Sequence, residues 1–323
     1  MWPVVVDWGR TVPEKKLISV VVPVYNEEEC LPELAQRLTQ VFDSESTYDF
    51  ECVLIENGSI DSSFGIMKQI HDSDSRFKIV QLARNFHMDG GITAGLEYVS
   101  GEACVIMTAD LQDPPEVIPK FLRLWEQGFE NVYGEVVERQ GIGWARKFNS
   151  WLFYKIAGAL TDGLVVQNAS DFRLVDRRVY ETVRGMDERN RFVRGLFAWS
   201  GFSVAKVPVP RPPRFAGESK AHFTGVLGLA IKGIFSHSYV PLRLLTIVGL
   251  GASLLSLAYF VWFIGHVVVS GVPFDGFGTL IALILLGFGF SFVALGVIGE
   301  YLALIYEEVK RRPNFIVRQT FGC

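Results

Sequence analysis

The sequence predicts an α/β domain with a mostly parallel sheet and flanking helices, followed by an interfacial helix and two transmembrane helices. Three observations predict it. Between Leu17 and Met107, β-branched and apolar runs alternate with segments of helical spacing. Polar residues cluster just after each of those runs, and two long uncharged stretches fill most of the last third of the chain. Of the 323 residues, 49% are hydrophobic and 20% charged, which excludes a disordered or low-complexity chain. The formal net charge of −4 argues against a surface made for nucleic acid.

The first strand is expected over Leu17 to Val24 (LISVVVPV), and a helix over Glu27 to Phe42. Glu51 to Ile55 repeats the strand signal, then come the turn Asn57-Gly58-Ser59 and a helix from Asp61 to Ile70. Phe77 to Leu82 is the third strand, Gly90 to Val99 the third helix and Ala103 to Met107 the fourth strand, stopped by Pro114-Pro115. This order gives parallel strands joined by helical crossovers, and ligands on such sheets sit at the carboxyl ends of the strands. The clusters Tyr25-Asn26-Glu27, Glu56-Asn57-Gly58-Ser59, Ala83-Arg84-Asn85 and Thr108 to Asp113 all fall there. Residues 1–225 are therefore expected to form one domain.

From Leu244 to Ser270 no Asp, Glu, Lys or Arg occurs, and Gly276 to Gly299 is equally uncharged. At 1.5 Å per residue each can cross roughly 30 Å of hydrocarbon. The two stretches are expected to form a transmembrane hairpin over 244–305, preceded by an amphipathic juxtamembrane segment over 226–243 and followed by a tail over 306–323. Lys232 and Arg243 precede the hairpin and Lys310, Arg311 and Arg312 follow it, whereas the connection Gly271 to Asp275 carries no positive charge. The positive-inside rule then places both termini and the α/β domain in the cytoplasm, at the cell membrane. The opening MWPVVVDWGR has neither the basic region nor the apolar length of a signal peptide. Cys30, Cys52, Cys104 and Cys323 are scattered without zinc-type spacing, as expected of reduced thiols. Gly287, Gly289, Gly296 and Gly299 offer close helix packing, which is compatible with a homo-oligomer but does not fix the oligomeric state.

No GxGxxG follows a strand, and Gly249-Leu250-Gly251 lies within an apolar span. No Walker A loop or nucleophile elbow is present either. What remains is Asp110 and Gln112, two residues apart beyond a buried strand, with Asp113 next to them. Hard oxygen donors of that kind suit Mg²⁺ or Mn²⁺ holding a substrate phosphate.

The segments VVPVYNEEE, ENGSIDSS, ARNF, TAGLEYVSGE, ADLQDPPE, SDFRLVDR and RFAGESK, together with the ending GEYLALIYEEVKRRP, occur in one order. In that order they resemble family 2 glycosyltransferases of the polyprenyl-phosphate type, similar to bactoprenol glucosyltransferases and dolichyl-phosphate mannose synthases. The resemblance runs from Leu17 to Arg318 and implies a GT-A domain. Such a domain binds a nucleotide-diphospho sugar with Mg²⁺ or Mn²⁺ and transfers one sugar, with inversion, to a polyprenyl phosphate in the bilayer. It implies nucleotide-sugar binding by Pro23, Tyr25, Glu27, Glu56, Asn57, Asp110 and Gln112, with Asp110 and Gln112 also holding the metal. Arg214 and Lys220 would meet the diphosphate as charge builds on it, and Arg139, Arg146 and Ser150 would grip the lipid phosphate.

Asp171 falls where the family places an acid near the sugar, as catalytic carboxylate or sugar-hydroxyl orienter; a structural pairing with Arg173 is the other reading. UDP-glucose is the favoured donor, with GDP-mannose, an N-acetylated sugar or a modified arabinose as alternatives. The family pattern is broken at three positions. Thr108 replaces the first carboxylate of Asp-x-Asp, and Glu56-Asn57 replaces Asp-Asp. These changes keep a second reading open, a catalytically silent membrane partner. Arg191 to Leu196 lacks the Gln-x-x-Arg-Trp pattern of processive synthases, in keeping with one sugar per lipid.

Overall fold

The computed structural model describes residues 15–136, 169–189, 191–210, 240–270 and 276–323. Its contacts divide into two units, one holding 1–144, 166–219 and 313–323, the other 145–165 and 220–312.

In the first unit, β1 (Lys16–Val24), β2 (Tyr48–Glu56), β3 (Phe77–Leu82) and β4 (Ala103–Ile106) alternate with α1 (Leu31–Ser44), α2 (Ser63–Ser73) and α3 (His87–Tyr98). After β4 come α4 (Ile118–Glu126), β5 (Asn131–Val136), β6 (Ala169–Asp176), α5 (Arg177–Arg184), α6 (Val193–Trp199) and β7 (Val204–Val209). The last strand is β8 (Val317–Phe321), and the sheet order is β7-β5-β6-β4-β1-β2-β3-β8. Pairing is parallel at β1–β2, β1–β4, β2–β3 and β5–β7, and antiparallel at β4–β6, β5–β6 and β3–β8. The mostly parallel sheet with flanking helices is thus present, and its antiparallel strands fall in the part of the chain without a clear crossover pattern.

Strand alternation builds the two faces of the core. Ile18, Val20, Val22 and Val24 pack with Leu34 and Leu38 of α1 and with Phe121 of α4. Val21, Val53 and Ile55 point the other way, against Ile92 and Leu96 of α3 and against Tyr180 of α5 and Phe197 of α6. The α3 helix lies so close to β1 that a Cβ on Gly95 would stand 2.2 Å from Val21 Cγ1.

The structure differs from the sequence expectation in three places. The helix expected from Glu27 begins at Leu31. The backbone N–H groups of Asn26, Glu27 and Glu28 instead donate to Ser59, Ser63 and Asp61 of the loop after β2. Pro114-Pro115 does not merely stop a strand, because Pro115 opens a short 3₁₀ turn leading into α4, as proline's fixed φ favours. The segment expected to be a tail over 306–323 is instead divided: its first residues extend a helix to Lys310, and Val317–Phe321 is a strand of the sheet.

In the second unit, α7 (Val240–Ser270) and α8 (Phe277–Lys310) are the described elements. Both are long and apolar enough to cross a membrane by length and composition. Large apolar side chains such as Leu250, Leu257, Val261, Phe288 and Phe292 stand exposed on them, a pattern suited to lipid rather than water. Residues 226–239 of the expected amphipathic segment lie outside the described residues, and 240–243 form the first turn of α7.

Candidate active site

The register brings the ends of the first four strands to one edge. Val24 stands beside Glu56, Glu56 beside Gln81, and Val21 beside Ile106. Because β6 runs antiparallel to β4, with Arg173 opposite Ile106, its early residues Ser170 and Asp171 lie at that edge too. Three of the four non-glycine residues with positive φ among the described residues are here: Asn26 at 53°, His87 at 61° and Leu111 at 59°. Backbone held in this region is strained, and such strain gathers at ligand sites.

The loops after β1 and β2 are laced together. Ser59 and Ser63 hydroxyls accept from the Asn26 and Glu27 amides, at 3.1 and 2.9 Å, and Ile60 N–H donates to Asn26 Oδ1 at 2.9 Å. Glu56 is 2% exposed, and its carboxylate accepts from the Ser59 amide. Asn57, also buried, joins this loop to the one after β3. Its Oδ1 accepts from Phe86 N–H at 2.9 Å, and its Nδ2 donates to the His87 carbonyl at 2.8 Å. Gly58 permits the approach: its φ is +74°, and a Cβ there would lie 2.5 Å from the Asn85 nitrogen. Arg84 in the same loop stacks over the Phe86 ring, 4.1 Å from its centroid.

After β4, Thr108, Asp110 and Asp113 form a compact oxygen cluster. Thr108 Oγ1 is 2.7 Å from both Asp110 Oδ1 and Asp113 Oδ2, so its one proton serves one carboxylate at a time. The Thr108 amide also donates to Asp113 Oδ2 at 3.0 Å, and the Gln112 amide to Asp110 Oδ1 at 3.2 Å. Asp110 and Asp113 are 5% and 4% exposed. Among the described residues no group of three or more His, Cys, Asp or Glu gathers to hold a metal. The donor set is still chemically right for Mg²⁺ or Mn²⁺, which take one or two carboxylates plus substrate phosphates.

Asp171 pairs with Arg194 rather than with Arg173. The contact is bidentate, Nε to Oδ1 at 2.9 Å and Nη2 to Oδ2 at 2.6 Å. Arg173 is instead buried over the Phe197 ring and donates to the Ser170 carbonyl at 3.0 Å. Burial pulls its pKa down to about 10. The Arg194-bearing helix is itself tied to α3, since Val193 N–H donates to Asp89 Oδ1 at 3.0 Å.

The structure therefore brings Pro23, Tyr25, Glu27, Glu56, Asn57, Asp110, Gln112 and Asp171 to one edge of the sheet. Arg139, Arg146, Ser150, Arg214 and Lys220 lie outside the described residues. The sequence reading missed the buried bracket made by Asp113, and it missed Arg194 as the partner of Asp171. Only the proximity of Asp113 to Asp110 in the chain hinted at the first; nothing local pointed to the second.

Carboxylates and backbone donors gather at the carboxyl edge of a mostly parallel sheet, where α/β enzymes place their ligand sites. The chain belongs to glycosyl transferase family 2, whose model matches residues 19–184, and it is a glycosyltransferase. A Synechocystis glycosyltransferase is 40% identical over 94% of this chain and 96% of its own length. The SfII prophage-derived bactoprenol glucosyl transferase of Shigella flexneri is 35% identical over 94% and 98%. A prophage bactoprenol glucosyl transferase homolog of Escherichia coli K12 is 33% identical over 94% and 98%. Among solved structures, glucosyl-3-phosphoglycerate synthase of Mycobacterium tuberculosis, in complex with Mn²⁺, UDP-glucose and phosphoglyceric acid, matches with a TM-score of 0.46. Its identity is 17%, over 68% of this chain and 78% of its own.

Proposed function

We propose that this glycosyltransferase moves a single sugar, with inversion, from UDP-glucose to the phosphate of a membrane polyprenyl phosphate. The reading is carried by the buried Thr108–Asp110–Asp113 cluster at the carboxyl edge, in a chain aligned along most of its length with bactoprenol glucosyl transferases. The loops of Pro23 to Glu27 and of Glu56-Asn57 hold the nucleotide. Asp110 and Gln112 hold the divalent cation, which supplies positive charge to the diphosphate when bound.

The acceptor phosphate is already ionised near neutral pH, its second pKa being about 6. It needs orientation rather than a strong base, and Arg139, Arg146 and Ser150 supply that grip. One of its oxygens attacks the anomeric carbon from the face opposite the diphosphate, and the bond to the diphosphate breaks. Arg214 and Lys220 meet the charge that develops on the leaving group. Asp171, held by Arg194, orients a sugar hydroxyl. The enzyme works at the cell membrane with the sheet unit and both chain ends in the cytoplasm.

GDP-mannose or another nucleotide sugar is the second reading for the donor. A silent membrane partner is the reading favoured by the departures at Thr108 and Asn57. The test incubates membranes containing the protein with labelled UDP-glucose or GDP-mannose, added polyprenyl phosphate, and Mg²⁺ or EDTA. Metal-dependent label in a mild-acid-labile lipid, made from UDP-glucose, is the expected result. Label from GDP-mannose alone overturns the donor assignment, and no label from any nucleotide sugar overturns the reaction.

A further inference from the structure

The loop after β3 is held from two sides, and only one of them belongs to the proposed nucleotide site. On the inner side stands the Asn57 amide, bonded to Phe86 and His87. On the outer side stands the segment that leads into and begins β8. Ala83 N–H donates to the Ile316 carbonyl at 2.8 Å. Arg318 Nη2 reaches the Ala83 carbonyl at 3.5 Å, and Gln319 Nε2 donates to Gln81 Oε1 at 2.6 Å. Asn314 Nδ2 donates to the Glu188 carbonyl at 3.1 Å, and a Cβ on Gly90 would stand 3.2 Å from the Asn314 carbonyl oxygen. Phe315 and Val317 pack against the core cluster that holds α3, α5 and α6.

We infer that residues 314–318 are a positioning element of the donor site. They fix the loop Ala83 to His87 and, through the Asn57 amide, the loop after β2; the nucleotide half of this inference rests on the function proposed above. The site is then complete only when the chain beyond α8 has returned to the sheet. An isolated segment ending before α7 lacks one wall of its third loop.

The test compares full-length protein in detergent with a variant ending at Pro313 and with Phe315→Ala, which keeps the backbone bonds of β8. Hydrogen exchange of residues 83–90 and binding of UDP and GDP with Mn²⁺ are measured at a temperature where each protein is folded. Expected is exchange faster by about tenfold in 83–90, with α1 unchanged, because a protecting hydrogen bond is lost or weakened. UDP binding weakens several-fold in the same variants, and Phe315→Leu restores both. If the shortened chain does not fold, Phe315→Ala alone decides. Unchanged exchange in 83–90, or faster exchange with unchanged UDP affinity, overturns the inference. Wild-type protein that binds neither nucleotide overturns the functional reading instead, and the exchange result still decides whether 314–318 positions the loop.

Discussion

Asn57 stands where the resembling family carries a carboxylate, and the structure gives the amide a task that a carboxylate could only half perform. It accepts from Phe86 N–H and donates to the His87 carbonyl; an ionised Asp can accept but cannot donate. Asn57→Asp should therefore leave a carbonyl facing a buried charge and cost about 1–3 kcal/mol, seen as a lower Tm with the fold retained. A Tm equal to wild type would refute this role.

Thr108 poses the matching question. Its hydroxyl lies between two buried carboxylates, so Thr108→Asp replaces a hydrogen-bond donor with a third negative charge. Loss of a charge-assisted bond costs about 1.5–3 kcal/mol, and the variant should melt earlier than wild type in EDTA and recover part of that loss with Mn²⁺. Equal melting in EDTA and Mn²⁺ would show that the added carboxylate holds no cation. Asp110→Asn removes a proposed ligand while keeping shape, and transfer to lipid should fall by about 10²–10³; wild-type rates would remove Asp110 from the site.

At the scale of elements, the four strand–loop units were legible because each strand is a continuous β-branched or apolar run and each loop a compact polar cluster. Glu56, Asn57 and Asp110 could thus be placed at one edge from spacing alone. The strand β8 could not, since VRQTF is short and mostly exposed, and its pairing with β3 spans more than two hundred residues. The Asp171–Arg194 contact was hidden for a similar reason, because antiparallel β6 and the short α6 meet only in the folded chain.

The opposite end of the sheet carries a buried knot that neither motif nor spacing announces. Glu51 accepts from Ser19 Oγ at 2.6 Å, from the Ser100 amide at 2.8 Å and from Lys78 Nζ at 2.8 Å. Burial pushes its carboxyl upward, but the bonds from Lys78, Ser19 and Ser100 together hold it below the ordinary value of 4.5. A depressed carboxyl stabilises the fold at pH above that value, and the contribution is lost as pH falls through the lowered one. Glu51→Gln should therefore be less stable than wild type at pH 7, and the gap should close below pH 4.5. A gap that is constant with pH would mean that the charge of Glu51 contributes nothing. Gly95→Ala tests the packing of α3 on β1, where the clash with Val21 should cost about 1–3 kcal/mol; a neutral result would mean that the helix can lift without loss.

For the whole molecule, the pairing of β8 with β3 constrains how the chain can meet a membrane. The chain leaves the sheet unit before α7 and is back in it from Pro313. If α7 and α8 cross a membrane, the residues on both sides of them must share one of its faces, because β8 hydrogen-bonds to β3. An even number of crossings satisfies this, as a hairpin of α7 and α8 does; a single crossing would put β8 across the bilayer from its partner strand. In the orientation proposed above, Lys310, Arg311 and Arg312 after α8 put that shared face in the cytoplasm. The cysteines provide the probe: Cys30, Cys52 and Cys104 are buried, and Cys323 is exposed two residues beyond β8. In intact cells a membrane-impermeant maleimide should leave the protein unlabelled, and in inside-out vesicles it should label one thiol, lost in Cys323→Ser. Labelling of Cys323 from outside intact cells would place the sheet unit on the outer face, where no cytoplasmic nucleotide sugar reaches it, and would overturn the orientation together with the donor.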